Sequence, residues 1–147
     1  MRCQDLMSTE VQACRETDSA LDCAVVMRKF NIGFCPVLDS KGHVVGVVTD
    51  RDLALRVLAA SRPPGVQLQD VMTRHVITCA PDEDLRSAER RMADERISRV
   101  VVMTEVGHCV GVLSLSDIVR VEESGRVSGV LRSVASREGH LPPAENA

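Results

Sequence analysis

Two short segments place hydroxyl and carboxylate side chains at one fixed spacing: Gly46-Val-Val-Thr49-Asp50-Arg51-Asp52 and Gly111-Val-Leu-Ser114-Leu115-Ser116-Asp117. In each, a hydroxyl closes an apolar run and an aspartate follows three residues later. A carboxylate accepts strong hydrogen bonds, worth about 1.5–3 kcal/mol when one partner is charged. Free N–H groups where a strand enters a helix, together with the hydroxyl, suit a phosphate. The same residues can instead cap the helix, the hydroxyl taking a free N–H and the acid facing the positive end of the dipole. Both readings stay open for Thr49, Asp52, Ser114 and Asp117.

Other reactive side chains do not assemble by spacing. Six cysteines stand at 3, 14, 23, 35, 79 and 109, with no Cys-x-x-Cys pair. Most fall in or beside apolar segments, where a reduced cysteine behaves as a small hydrophobe. Zinc on Cys109 with His108 or His43 has no ligand spacing behind it, so no metal is expected. His43 and His108 flank turn glycines and read as exposed turn residues. Glu89-Arg90-Arg91 with Asp94-Glu95-Arg96 reads as the solvated face of a helix. No Ser-His-Asp set or pair of acids can be built, so the chain is expected not to be an enzyme.

The elements that must position the two segments are themselves repeated. Asp117 stands 65 residues after Asp52, and the same offset relates Asp5 to Asp70, Met7 to Met72, Cys14 to Cys79, Met27 to Met92, Ile32 to Ile97 and Gly42 to Gly107. One ungapped offset over that length makes the chain two copies of one unit. In the first copy, Val11–Cys14 is a short strand, and Asp18 and Ser19 open a helix with Asp18 as its cap. Ala20, Cys23, Ala24, Met27 and Phe30 form its buried face. Cys35–Leu38 and Val44–Thr49 make a hairpin turning at Gly42, and an amphipathic helix runs from Asp50 through Leu53, Val57 and Leu58 to about Ser61. The second copy repeats the series: a strand at Val76–Cys79, an acidic first turn at Pro81–Asp84, a helix with Leu85, Ala88 and Met92 inward, a hairpin over Arg99–Ser114, and a last helix ending near Gly125. The predicted organisation is 5–61 for the first copy, 62–69 for the linker and 70–123 for the second. A short helix and flexible tail fill 124–147, where Val127, Val130, Leu131 and Val134 ask for a partner surface.

Composition narrows the classes. Hydrophobic residues make up 44% and charged residues 27%, which argues for a folded chain. The only aromatics are Phe30 and Phe34, so the core must be aliphatic and sulfur-containing. A net charge of −3 gives no basic footprint for nucleic acid. No apolar run approaches the ~18–20 residues of a membrane span, and the N-terminus has no signal-peptide core. A cytoplasmic protein is expected, with no nucleic-acid or membrane partner.

A tandem β-α-β-β-α unit that closes each hairpin with Gly-h-h-(Thr/Ser)-x-x-Asp (h apolar) and enters its strand at Cys35-Pro36-Val37 resembles the CBS-domain pair, or Bateman module. The resemblance covers residues 5 to 120 and is closest to stand-alone two-CBS proteins. It implies an α+β fold of two three-stranded sheets packed with helices about a pseudo-two-fold axis, and a homodimer. It also implies two clefts between the repeats for an adenine nucleotide (AMP, ADP, ATP or NAD-like) or an adenosyl compound, held as a regulatory ligand rather than a required cofactor. Carried over, one cleft joins Thr49, Arg51 and Asp52 to Thr78, Cys79, Ser98, Arg99, Val100 and Val101. The other joins Ser114 and Asp117 to Cys14, Gly33, Phe34, Cys35 and Pro36. The aspartates would hold ribose hydroxyls, and backbone near Cys35 and Val100 would read the adenine edge. Arg51 and Arg99 would make the first cleft the better phosphate site. Val101 stands where the family usually has proline, and Leu115-Ser116 replaces Asp50-Arg51. The implied function is sensing, with a signal passed through the dimer or tail to an unidentified protein partner. The alternative is a dimeric interaction module that needs no ligand.

Overall fold

The computed structural model describes residues 1–121 and 124–136, with side chains to residue 121 and from 128 onward. The predicted tail from Arg137, and the Val127 side chain, lie outside the described residues. The chain forms two compact units that do not follow chain order. One holds Met1–Thr9, Ile77–Met103 and Gly111–Ala147; the other holds Glu10–Val76 and Thr104–Val110. Each repeat supplies one three-stranded sheet whose strands lie side by side in chain order. The fold is α+β, as the sequence indicates.

In the first copy, β1 is only Cys14–Arg15, shorter than the expected Val11–Cys14. It runs parallel to β2, Phe34–Leu38, with Cys14 opposite Val37. Pro36 has no N–H to donate, so the parallel ladder cannot extend back past Val37. β2 then pairs antiparallel with β3, Val44–Thr49, setting Phe34 against Thr49 and Cys35 against Val48. The hairpin turns at Gly42, with φ of 82°, where a side chain would be strained. Asp39 Oδ1 accepts the His43 and Lys41 N–H groups at 2.8 and 2.9 Å.

Helix α2, Ala20–Phe30, is capped by Ser19, whose hydroxyl accepts from the Asp22 N–H at 3.0 Å while Asp22 bonds the Ser19 N–H. Asp18, expected as the cap, instead closes the preceding turn by accepting the Arg15 N–H at 2.8 Å. Asn31, left-handed at φ 52°, ends the helix. Ala24 and Phe30, expected inside, are exposed, Ala24 on the outer side of the helix and Phe30, at 43%, on its last turn, beyond the sheet. Ala20, Cys23 and Met27 bury the inner face against Val37, Val48, Val57, Leu68 and Val71. After β3 a single α turn, α3 (Asp50–Asp52), widens into a π-helical segment, Leu53–Leu58. That widening carries Leu58 outward while Val57 stays buried.

The second copy is built on the same plan with local changes. β4 is Thr78–Cys79 and pairs parallel with β5, Arg99–Met103, Thr78 facing Val101. Val101 occupies the place of Pro36 and keeps its N–H, which donates to Ile77 O at 3.2 Å, so this ladder starts one residue earlier than in the first copy. α4, Leu85–Glu95, is capped by Asp84. β6, Cys109–Ser114, leads into α5, Leu115–Val119, which stops short of the expected Gly125. A further helix, α6 (Ser124–Ala135), packs on α4 and buries Val130 and Val134. α4 therefore lies under a cover, and Glu89, expected in solvent, is 4% exposed with no hydrogen-bond donor for its Oε1 among the described residues. Arg91 is likewise engaged, to Glu83 Oε1 at 2.6 Å and Thr78 O at 2.9 Å. The N-terminal helix α1, Cys3–Leu6, dresses this second sheet: Cys3 N–H donates to Glu83 O and Leu85 N–H to Met1 O. No described helix is long and apolar enough to cross a membrane.

Candidate functional site

Both hydroxyl-carboxylate segments sit where a strand becomes a helix, and both form reciprocal capping boxes. Thr49 N–H donates to Asp52 Oδ2 at 2.9 Å, and Asp52 N–H donates to Thr49 Oγ1 at 3.1 Å. Ser114 and Asp117 repeat this at 3.2 Å in each direction, and the Ser114 hydroxyl also donates to Asp117 Oδ2 at 2.6 Å. Capping is thus realised in both copies, and each box uses the same carboxylate oxygen, Oδ2. Asp52 Oδ1 lies 3.7 Å from Arg56 Nε. Arg56 is itself anchored on the Val71 and Met72 carbonyls at 3.2 and 3.1 Å. The capping bonds hold both carboxylates in one orientation.

The strand entries differ between copies. Asp50 N–H bonds Gly33 O at 3.1 Å, and the Asp50 carboxylate lies so close to Gly33 that a Cβ there would be 2.7 Å from Oδ2. In the second copy Ser98 and Leu115 hold these places, joined by the Leu115 N–H to Ser98 O bond at 2.8 Å. Here the entry opens into a cleft of about 500 Å³. Ser98, Arg99, Ser114, Ser116 and Arg120 give it hydroxyls and two guanidinium groups, and Leu115, Val119 and Leu131 give it apolar wall. Ser114 Oγ and Ser116 Oγ are 2.8 Å apart, so the hydroxyls already form a chain.

The sequence-derived clefts each drew residues from both compact units. Cys14, Gly33, Phe34, Cys35, Pro36, Thr49, Arg51 and Asp52 belong to one unit, and Thr78, Cys79, Ser98, Arg99, Val100, Val101, Ser114 and Asp117 to the other. Within the latter, Ser98 and Arg99 share a cleft with Ser114. The Cys14, Cys35, Cys79, Pro36, Val100 and Val101 side chains are core, which leaves only their backbone for recognition. Pro36 has no N–H to offer, and the Thr78 carbonyl is taken by Arg91. Arg51 is exposed, its N–H turned to Asp50 Oδ1. Sequence reasoning missed Leu115, Ser116, Val119, Arg120 and Leu131 as site residues. Arg120 had a signal, standing three residues after Asp117 and so one helical turn along the same face.

Hydrogen bonds from Cys23 and Cys35 hold the Cys14 thiol below its ordinary range, while the hydrogen bond with Cys14 pushes both Cys23 and Cys35 up. A Cys3–Cys79 hydrogen bond lowers Cys3 and raises Cys79.

Comparison with known proteins gives a consistent result. The model of the CBS domain matches residues 3–59 and again 68–124. The uncharacterized protein YlbB of Bacillus subtilis is 32% identical over 127 residues, covering 86% of this chain and 85% of its own. The conserved CBS domain protein TA0289 of Thermoplasma acidophilum superposes with a TM-score of 0.82 at 20% identity, over 92% of this chain and 77% of its own. The CBS domain pair of protein MJ0100, crystallised in complex with 5′-methylthioadenosine and S-adenosyl-L-methionine, gives a TM-score of 0.75 at 29% identity. It covers 82% of this chain and 94% of its own.

Proposed function

Because the chain belongs to the CBS-domain family and carries two of its repeats, we propose that it is a regulatory module whose ligand is an adenosine phosphate. The observation that carries this reading is the cleft of the second copy, where three serine hydroxyls and two arginines face an apolar wall. Apolar side chains suit an adenine face, hydroxyls suit ribose, and guanidinium groups pair with phosphate oxygens in a fork geometry. The adenosyl complex of MJ0100 supports the ligand class. Ligand occupancy would shift the module between two shapes by its differential affinity for them, and a partner protein would read the result.

The test is a thermal-shift panel of AMP, ADP, ATP, NAD, 5′-methylthioadenosine and S-adenosylmethionine on the full chain, with Arg99→Ala/Arg120→Ala beside it. A ligand at a hundred times its Kd stabilises the native state by ~2.7 kcal/mol. The expected result is a shift with phosphate-bearing compounds that the double variant loses. A shift confined to the two uncharged or cationic adenosyl compounds would move the assignment away from phosphate, and no shift at all would end it.

A second reading, a dimeric interaction module that needs no ligand, is favoured by the capping boxes, which already engage Oδ2 of both motif aspartates. Leu21 and Val25 on α2 and Leu55 and Leu58 beyond α3 are exposed apolar side chains suited to a second copy. Light scattering that shows a dimer, alongside a flat ligand panel, would select it.

A further inference from the structure

The first copy gathers three cysteines that are far apart in sequence. Cys14 comes from β1, Cys23 from α2 and Cys35 from β2, and their Sγ atoms all lie within 4.8 Å of one another. They are 3%, 0% and 0% exposed. The topology explains the convergence. β1 and β2 are neighbours with Cys14 opposite Val37, and Cys35, two residues before Val37, shares its face of the sheet. Cys23 faces that sheet from the inner side of α2.

The fold itself does not need sulfur at these positions. The second copy holds Cys79, Ala88 and Val100 at the equivalent places, each as deeply buried. Two of the three sulfurs are therefore particular to the first copy.

We propose that Cys14, Cys23 and Cys35 form a three-sulfur site for a soft monovalent cation, Cu(I). The donor set is sulfur alone, which selects soft ions over hard ones. Structural zinc sites close with four ligands, and among the described residues this cluster supplies three. A metal–sulfur bond of ~2.3 Å places three trigonal sulfurs about 4 Å apart, so the cluster needs only a small contraction to close. Its charge also fits. A single positive charge neutralises one thiolate in a dry interior, where an unbalanced charge is costly. Ligation involves no change of oxidation state: Cu(I) enters as the cuprous ion, copper–sulfur bonds replace the S–H···S hydrogen bonds, and any thiol proton displaced leaves to solvent.

The test uses the full chain, reduced and oxygen-free, titrated with Cu(I) in competition with the chromophoric chelator bicinchoninate. Wild type is expected to hold one cuprous ion per chain against the chelator. Cys23→Ala/Cys35→Val, which writes the second copy's residues into the first, should weaken binding by more than about a hundredfold, the upper end of what losing even an outer-shell partner costs. Cys3→Ala/Cys79→Ala should leave binding unchanged. X-ray absorption on the copper-loaded wild type serves even if a variant fails to fold: three sulfur scatterers support the site, and two sulfurs or nitrogen and oxygen ligands overturn it. Loss of copper to the chelator, retention by the Cys23→Ala/Cys35→Val variant, or retention of Zn(II) in place of Cu(I) would each overturn it as well.

Discussion

The two copies follow one backbone plan and differ at a handful of equivalent positions, and those positions change what each can bind. In the first copy Gly33 lets the Asp50 carboxylate settle against the strand entry, which fills it with negative charge. In the second, Ser98 and Leu115 stand there, Arg99 and Arg120 flank them, and an open cleft results. The interiors diverge too. The first core holds three thiols around Val48; the second holds Leu113 in the place of Val48, a single equivalent thiol, and the carboxyl of Glu89 beneath α6. Duplication preserved the frame, the capping boxes above all, and left entries and cores free to specialise.

Exchanging residues between copies is the direct way to press this contrast. The largest effect is expected from the interior. Leu113→Ala removes a fully buried side chain and should cost about 2–5 kcal/mol, while Val48→Ala, deleting fewer carbons from the equivalent place, should cost clearly less. Urea denaturation measures both, and equal costs would mean the cores are packed alike. Next comes Glu89→Leu. Removing a buried carboxyl oxygen that lacks a donor should raise stability by about 1–3 kcal/mol, whereas Ala24→Leu at the equivalent, exposed place should stay within about 0.5 kcal/mol. A destabilised Glu89→Leu would show that the carboxyl has a partner and that α6 is held by it.

The smallest effect is a pH response confined to the first hairpin turn. The His43 backbone N–H, followed by that of Lys41, holds the Asp39 carboxyl below the usual carboxylate range. A carboxyl lowered on folding contributes stability at pH above its unfolded value of about 4 and loses that contribution as pH falls through its folded value. The second turn has Thr104 there, its hydroxyl accepting the His108 N–H at 3.2 Å. Asp39→Thr should therefore change the melting temperature little at pH 3 and lower it slightly at pH 7. An unchanged difference between the two pH values would remove Asp39 from acid sensitivity.

Much of this frame is legible in the sequence because it repeats. The offset of 65 places both hairpins, both capping boxes and both α2-like helices, and the glycine turns mark where each hairpin bends. What escapes is set by contacts from outside the repeat. Glu89-Arg90-Arg91 has the periodicity of a solvated face, and only the docking of α6 buries Glu89. Asp18 and Ser19 are both good caps side by side, and a turn contact at Arg15 decides between them. The thiol cluster escapes because its members come from two strands and a helix at irregular intervals. Subtracting one copy from the other, which leaves Cys23 against Ala88 and Cys35 against Val100, would have exposed it. Arg120 is not marked by the repeat, since Leu55 holds its place in the first copy, and only its spacing from Asp117 points to it.

The interleaving of the two units has a bearing on how the chain is made. Met1–Thr9 packs with the second sheet, and Thr104–Val110, the turn of the second hairpin, packs with the first, where the His43 and His108 rings stack with centroids 5.2 Å apart. On a ribosome that delivers residues in order, the opening segment emerges long before the surface it covers. The first unit, in turn, waits for a turn encoded two-thirds of the way along. A product truncated before Thr104 therefore lacks a segment of each unit.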